Sequence, residues 1–316
     1  MIAPMIAFDR GSATPAVWVA KANGRDARRL AAGSDPSLSP NGRLVAFVTP
    51  DGAGTEFRST TPGGYSGGTS VSGATEQVLA WSHDSRFVAI AYTGTRTSNS
   101  GLAVVGVGTT GSLSITPVAQ GFVSGASFAP RGDRLVYAIS SSQRLGARVD
   151  LFTANADRTH ARRLTDDGRS LYPVWGRRGI AFDRERLRGR SEAPEYQVWL
   201  MRGGRTTQLT HLRVPPLLDG LVPLQFDAAG NRLLAEYSGE DTSYAYTIQL
   251  KPRRVRAVRV RGRLVQPAAI SRSGRELLVD EGAFENPPSR GRVESVPFGG
   301  GPATVLTSGA QPSWNR

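Results

Sequence analysis

The feature that most constrains the fold is a unit of about 45 residues that repeats along the chain. Each copy reads as a short apolar strand, a turn containing Gly or Ser, and a second strand of alternating β-branched and aromatic residues. Six copies are "DPSLSPNGRLVAFVT" (35–49), "VLAWSHDSRFVAIAYT" (78–93), "GASFAPRGDRLVYAIS" (125–140), "YPVWGRRGIAFDR" (172–184), "VPLQFDAAGNRLLAEYS" (222–238) and "QPAAISRSGRELLVDEG" (266–282). A period of this length with four short strands per unit is typical of a propeller blade.

A large apolar residue anchors the first strand of each unit, and the next anchor in step is Trp314, close to the C-terminus. Trp314 has no second strand after it, whereas "MIAFDRG" (5–11) is a second strand without a first. Since "PSWNR" followed by "MIAFDR" matches "PVWGRRGIAFDR", the two ends are predicted to be halves of one blade. The seven anchors are Leu38, Trp81, Phe128, Trp175, Phe226, Ile270 and Trp314.

The predicted fold class is therefore all-β, a seven-bladed propeller of four-stranded antiparallel blades. The C-terminal strand is expected to close the ring by pairing into the N-terminal blade, which protects sheet edges that would otherwise be exposed. We expect one domain over residues 1–316, with the first blade shared between 5–33 and 310–316. The 37 Gly and 20 Pro, spread over the whole length, agree with an all-β chain rich in turns.

The repeats resemble the TolB-type, WD-like propeller repeat. The matching segments are Ser39-Pro40-Asn41-Gly42, Trp81-Ser82-His83-Asp84-Ser85 and Arg162-Arg163-Leu164-Thr165. The resemblance implies a propeller that serves as a binding platform. Relatives include the translocation protein of the Tol–Pal system and the propeller domains of prolyl-oligopeptidase-like enzymes. The chain departs from both, because the sequence shows neither the α/β domain of the first nor the hydrolase domain of the second.

Composition excludes sites that depend on cysteine and does not identify a binding partner. The chain has no cysteine, so disulfides, thiolate zinc sites and cysteine nucleophiles are excluded. The net charge is +13 and nearly all of the positive charge is arginine, which fits attraction to anions but also a bias in coding composition. The first residues lack the basic segment of a signal peptide. The localisation is left open, and an extracytoplasmic (periplasmic or secreted) one is favoured if a leader was removed.

Four motifs are interpreted structurally. "GYSGG" (64–68) matches a nucleophile elbow, but no helix pattern follows Ser66. "GVGTTG" (106–111) matches a dinucleotide fingerprint, but a strand pattern follows it. The three histidines, His83, His160 and His211, fit no metal-binding spacing. "KPRRVRAVRVRGR" (251–263) alternates arginine with valine, as an outer strand would, and lacks the aromatic residues that nucleic-acid binding favours.

The loops between the second and third strand of each blade are long and individual. In a propeller these loops share one face, and function commonly resides on variable loops held by a rigid scaffold. Their charged residues are candidates for ligand binding. The competing interpretation is that each is an ordinary solvent-exposed loop residue. The candidates are Arg10, Arg96, Arg148, Arg184, Arg186, Glu195, Asp241 and Glu285.

The sequence favours a non-enzymatic binding scaffold that presents this loop-rich face to a protein or peptide partner. The alternative is a propeller lyase or hydrolase acting in the central channel on a polyanionic substrate such as an acidic glycan. No catalytic set, metal site or cofactor is predicted, and no membrane span. An anionic ligand stays open, nucleic acid is disfavoured, and a monomer is expected.

Overall fold

The computed structural model describes residues 4–11, 14–108, 112–144, 146–186, 195–215, 218–239, 242–281 and 291–315. These residues form short strands joined by turns, with one 3-10 turn at Thr97–Asn99. No helix among them is long and apolar enough to cross a lipid bilayer. The chain is therefore all-β in the part that is described, as the repeat predicted.

The strands pair into four-stranded antiparallel sheets, except that those over residues 170–257 form one eight-stranded sheet, in which a single parallel bridge between Tyr196 and Gly220 joins two antiparallel halves. Counting each half separately, we number the four-stranded units of the described residues 1 to 7. Units 1 to 3 contain β1 (Met5–Arg10), β2 (Ala16–Lys21), β3 (Arg28–Ala32); β4 (Ser34–Leu38), β5 (Leu44–Val48), β6 (Gly54–Ser59), β7 (Ser66–Ser70); and β8 (Ala74–Trp81), β9 (Phe87–Gly94), β10 (Gly101–Val107), β11 (Leu113–Gln120). Units 4 and 5 contain β12 (Phe122–Phe128), β13 (Arg134–Ser140), β14 (Val149–Asn155), β15 (Arg162–Arg163); and β16 (Ser170–Gly176), β17 (Gly179–Arg186), β18 (Glu195–Arg202), β19 (Arg205–Gln208). Unit 6 contains β20 (Leu218–Phe226), β21 (Arg232–Gly239), β22 (Thr242–Leu250), β23 (Arg253–Ala257), and is followed by a hairpin of β24 (Arg259–Val260) and β25 (Arg263–Leu264). Unit 7 contains β26 (Gln266–Ile270), β27 (Glu276–Glu281), β28 (Arg292–Pro297), β29 (Thr304–Ser308), and β30 (Ala310–Trp314) completes unit 1.

The two ends of the chain meet in unit 1. Strand β30 pairs antiparallel with β1, with Trp314 opposite Ile6 and Ser313 opposite Ala7. The Met5 amide also donates a hydrogen bond to Asn315 Oδ1 at 2.8 Å. The expected closure, in which the C-terminal strand pairs into the N-terminal unit, is confirmed.

The apolar core lies between neighbouring units. Alternate residues of each second strand point to opposite sides of the sheet. On β1, Ile6 and Phe8 pack with unit 7, while Ala7 packs with Phe47 of unit 2. Each core cluster of the described residues joins one unit to the next, and the one with Trp314 and Leu278 joins unit 7 to unit 1. The units therefore form a closed ring, which is a β-propeller.

The turn between the first two strands of a unit is fixed by a polar side chain at its start. Ser82 Oγ accepts hydrogen bonds from the amides of Arg86 and Phe87, at 3.1 and 2.9 Å. In unit 2, Ser39 Oγ accepts from the Leu44 amide at 3.0 Å, and Gly42 takes φ 71°. The serine at the start of the turn thus supplies a hydrogen-bond acceptor for the backbone amides at its end.

The predicted anchors are buried, with one exception. Leu38, Trp81, Phe128, Phe226, Ile270 and Trp314 are each 9% exposed or less. Trp175 is only half-buried. Its ring packs partly against the core between units 4 and 5, and the Arg134 guanidinium is 5.6 Å from the ring centroid.

Candidate functional site

The two ends of the ring differ in the connections that they carry. Loops between second and third strands, together with the connections from one unit to the next, lie at one end, which we call the loop face. Turns between first and second strands and between third and fourth strands lie at the other end, the turn face. This assignment follows from the antiparallel order of strands within each unit.

Two of the predicted site residues contact an aromatic ring of their own unit and a polar group of the preceding unit or its connection. The Arg10 guanidinium lies 4.6 Å from the Trp18 ring centroid and donates to the Ser308 carbonyl at 2.8 Å. The Arg184 guanidinium lies 4.5 Å from the Trp199 ring centroid and forms a 2.8 Å ion pair with Asp167. These contacts stabilise neighbouring units in the ring and engage both arginines within the chain.

The other predicted site residues are dispersed over the loop face. Arg148 is exposed and donates to the Asp166 carbonyl at 2.8 Å. Arg96 is exposed next to the 3-10 turn. Arg186 stands opposite Glu195 in the ladder between β17 and β18, and Glu195 accepts a 2.9 Å hydrogen bond from Gln197. The remaining two, Asp241 and Glu285, lie outside the described residues.

A different set of residues meets where the second strands reach the loop face. One carboxylate occupies the same repeat position in four units, directly after the last core residues of the second strand. They are Asp9 on β1, Asp183 on β17, Glu236 on β21 and Asp280 on β27.

Two of these carboxylates are stabilised by the next unit around the ring. Asp280 Oδ2 accepts a 3.1 Å hydrogen bond from the Gln311 amide of β30. Asp9 accepts a backbone hydrogen bond from Asp35 on β4. Burial nevertheless dominates, and it raises the pKa of Asp280 to about 6 and that of Asp9 to about 7.

Asp183 occupies the same position without that support. Its side chain is fully buried, and neither carboxylate oxygen has a hydrogen-bond partner among the described residues. Burial, and then the nearby Glu185 carboxylate, raise the pKa of Asp183 well above its usual value. A buried carboxylate without a partner is costly unless it is protonated or meets a positive charge.

Asp183 belongs to a group that we call the acid–tyrosine cluster, between units 5 and 6. Glu185 lies two residues further along β17, is 8% exposed, and stands opposite Tyr196 of β18. The rings of Tyr196 and Tyr172 meet edge to face, with centroids 6.5 Å apart. The members are Tyr172, Asp183, Glu185, Tyr196, Asp219 and Glu236.

The cluster concentrates acidic groups, and Arg169 is a cation that acts on one of them, Glu185. Burial, followed by the charges of Asp183, Asp219 and Glu236, raises the pKa of Tyr172 to about 12. Burial, followed by the charges of Asp183, Tyr172 and Glu185, also raises the pKa of Tyr196. Tyr172 is 36% exposed, so the cluster is in contact with solvent at the loop face. Carboxylates beside two aromatic rings form a suitable receptor for an ammonium or guanidinium group.

The histidines lie elsewhere. His83 is in the turn of unit 3 on the turn face, where burial, Arg272 and Arg177 lower its pKa. His160 is exposed in the outer hairpin of unit 4 and His211 is exposed after β19. Within the described ranges, no three His, Asp or Glu side chains are placed to hold a metal ion together.

Two of the interpreted motifs have described structure. Ser66 begins the outer strand β7, opposite Arg58, with no helix after it. The arginine-rich run forms β23, where Arg254 and Arg256 are exposed and Val255 is partly buried. It continues into the β24–β25 hairpin. Arg261 there pairs with Glu294 at 3.2 Å and with Glu281 at 3.6 Å, so part of the run neutralises buried carboxylates. "GVGTTG" extends beyond the described residues.

Sequence reasoning did not identify the acid–tyrosine cluster, although a signal was present. An acid follows the apolar stretch in "IAFD" (6–9), "IAFD" (180–183), "LLAE" (233–236) and "LLVD" (277–280). Aligned at the repeat period, these acids occupy one position, and an ionisable group there has to be explained by partners. What the sequence alone does not show is which of the four lacks a partner.

Known structures place the chain among propeller proteins. No protein-family model matches it, and no curated protein matches it in sequence. It is similar to putative TolB from Agrobacterium tumefaciens, with 16% identity, 80% of this chain and 87% of that chain covered, and a TM-score of 0.54. It is also similar to an oligogalacturonate lyase in complex with manganese, with 13% identity, 84% of this chain and 79% of that chain covered, and a TM-score of 0.57. A prolyl endopeptidase is 13% identical, with 97% of this chain and 50% of that chain covered, and a TM-score of 0.62. At these identities the similarity establishes a TolB-like propeller fold, in a group that includes both binding proteins and enzymes.

Proposed function

We propose that the protein is a non-enzymatic scaffold that binds a protein or peptide partner at its loop face. The acid–tyrosine cluster receives a positively charged group of that partner, either a Lys or Arg side chain or a free amine. The observation that carries the proposal is Asp183, which is fully buried and lacks a hydrogen-bond partner, next to Glu185 and two tyrosines. A cation entering the cluster would give that carboxylate its missing partner.

The chemistry of the cluster favours a cationic ligand over the alternative, a polyanionic substrate. Its acidic groups supply hydrogen-bond acceptors that a cation can use, whereas an acidic glycan would need donors. The arginines Arg10 and Arg184, which could have attracted such a substrate, are engaged in contacts within the chain. The TolB-like neighbours add support for a protein partner.

The test uses fluorescent eight-residue peptides that carry one Lys or Arg at a varied position, each compared with a peptide that has Gln there. Fluorescence anisotropy measures their affinity. Wild-type protein should bind a subset of the cationic peptides and not their Gln counterparts. The double variant Asp183→Asn with Glu185→Gln should lose at least tenfold in affinity, because truncating one side of a buried charge contact is costly.

The matched control is Asp26→Asn. Asp26 is an exposed acid in the outer hairpin of unit 1, paired with Lys21. Its loss removes a negative charge far from the cluster, so peptide affinity should stay within a factor of two. Equal binding of Lys and Gln peptides, or equal weakening by the control variant, would contradict the proposal.

A further inference from the structure

A second concave site lies on the turn face, between units 4 and 5. Two adjoining shallow cavities, of about 380 and 350 Å³, share Trp175, Gly176 and Arg177 in their walls. Their charged lining is entirely arginine. The arginines are Arg131, Arg134, Arg177, Arg178 and Arg202, and we call the site the arginine groove.

The positive charge of this groove is not compensated within the described residues. No ion pair or side-chain hydrogen bond to another described residue involves any of the five guanidinium groups. Arg178 Nε is buried without an acceptor. Asp133, the acid nearest in sequence, forms no ion pair with them. Elsewhere in the chain arginines that contact aromatic rings also have polar partners, as Arg10 does.

Local backbone keeps the groove open. The β18–β19 turn consists of Gly203 and Gly204, with φ of 55° and 77°, and no atom lies within 4 Å of where their Cβ atoms would be. A turn without side chains leaves the space beside Arg202 free. The half-buried ring of Trp175 forms the apolar wall, with Arg134 over it.

We propose that the arginine groove binds a small phosphorylated molecule through its phosphate or pyrophosphate oxyanions. Guanidinium groups bind phosphate oxygens with paired N–H donors, and several around one site suit a group with multiple charges. The cavity volumes fall in the range of small-molecule sites. One tryptophan in a concave groove does not provide the succession of aromatic platforms that single-stranded nucleic acid uses.

The test is calorimetric titration of the full chain with inorganic pyrophosphate. Wild-type protein should show saturable binding at one site and a higher Tm with the ligand, because a ligand that binds only the folded state stabilises it. Arg178→Gln and Arg202→Gln should each weaken the affinity at least tenfold. Since Arg202 is exposed, its substitution should leave the Tm of the free protein unchanged.

Two controls distinguish a specific binding site from nonspecific attraction of an anion to positive charge. Arg254→Gln and Arg256→Gln remove the same charge from the exposed outer strand β23 and should leave the affinity unchanged. Vesicles of phosphatidylglycerol test whether the phosphate belongs to a lipid headgroup, and pyrophosphate should displace any bound protein from them. Absence of saturable pyrophosphate binding, equal weakening by the β23 variants, or vesicle binding that pyrophosphate does not affect would overturn the proposal.

Discussion

At the scale of single residues, the buried carboxylates make the free energy of unfolding depend on pH. A carboxyl whose pKa is raised in the folded state binds protons more readily there than in the unfolded chain. Stability from such a group is greatest when it is protonated in the folded state, and it falls as pH rises from the unfolded pKa to the folded pKa. For Asp9 that window runs from 3.8 to about 7.

Replacing Asp9 with Asn should therefore stabilise the protein at pH 8, by up to about 4 kcal/mol for a pKa raised this far. Asn can still accept the backbone hydrogen bond from Asp35 through its carbonyl oxygen. Urea unfolding at several pH values measures the difference. The gain should shrink as pH falls and disappear near pH 4. A gain that is independent of pH would show that Asp9 ionises normally in the folded state.

Trp314 tests the packing at the junction of the chain ends. It is 7% exposed in the core between units 7 and 1, so Trp314→Ala should cost about 3–5 kcal/mol in free energy of unfolding. Its Nε1 has no hydrogen-bond partner among the described residues, so Trp314→Phe should cost much less. Denaturant unfolding of the two variants distinguishes the cases. A loss of only a few tenths of a kcal/mol for Ala would place the ring at the surface.

At the scale of elements, the first strands join the units. The side chain before the anchor accepts a hydrogen bond from the anchor amide of the next unit, at 3.0 Å in each case. The donor–acceptor pairs are Leu38 to Ser313, Trp175 to Ser127 and Ile270 to Gln225. Strand β30 is engaged on three sides, because it also pairs with β1 and because Gln311 donates to Asp280 of unit 7.

Bulges in three first strands shape the loop face. Asp35, Tyr172 and Gln311 each precede a proline and take positive φ, 53°, 46° and 46°. The strand register shifts at each of these positions. Such strained residues concentrate at functional sites. In units 1 and 2 the bulge amide reaches the carboxylate of the preceding unit, whereas in unit 5 the bulge brings Tyr172 into the cluster.

Deleting residues 311–316 should lower the Tm sharply, since β1 would lose its inner partner and Asp280 its hydrogen bond. Thermal unfolding followed by circular dichroism is the measurement, with a chain that lacks only Arg316 as control. The control should melt like the full chain. An unchanged Tm for the longer deletion would show that β30 contributes little to closure.

The sequence predicts the elements of this fold better than its site. Periodicity locates the anchors and the closing strand, because buried apolar residues repeat with the backbone. It does not show that Trp175 is only half-buried, since that depends on the neighbouring Arg134 and on an open turn. Nor does it distinguish Asp183 from Asp280, because the Gln311 amide that reaches Asp280 comes from the next unit around the ring. The assignment of residues 1–316 to one domain stays a prediction.

At the scale of the whole molecule, the two candidate sites lie on opposite faces and differ in the charge of their side chains. The chain carries +13, yet the cluster at the loop face combines Asp183 and Glu185 with further acids. The arginine groove lies at the turn face, where Arg177 also lowers the pKa of His83. Ligands of opposite charge are therefore expected at opposite ends of the ring, a cationic group at one and a phosphate at the other.

The central claim, that a cation completes the buried carboxylate of Asp183, has a direct test in the pH dependence of binding. Burial and the nearby Glu185 raise the pKa of Asp183. Tyr172 of β16, Tyr196 of β18 and Asp219 of β20 face the same space. A cation has to displace the proton of Asp183, so binding should tighten as pH rises. The measurement is the affinity of the best Lys peptide between pH 5 and 8. We predict at least a tenfold increase for wild type and little change for Asp183→Asn; a flat profile for wild type, or the same slope in both proteins, would contradict the account.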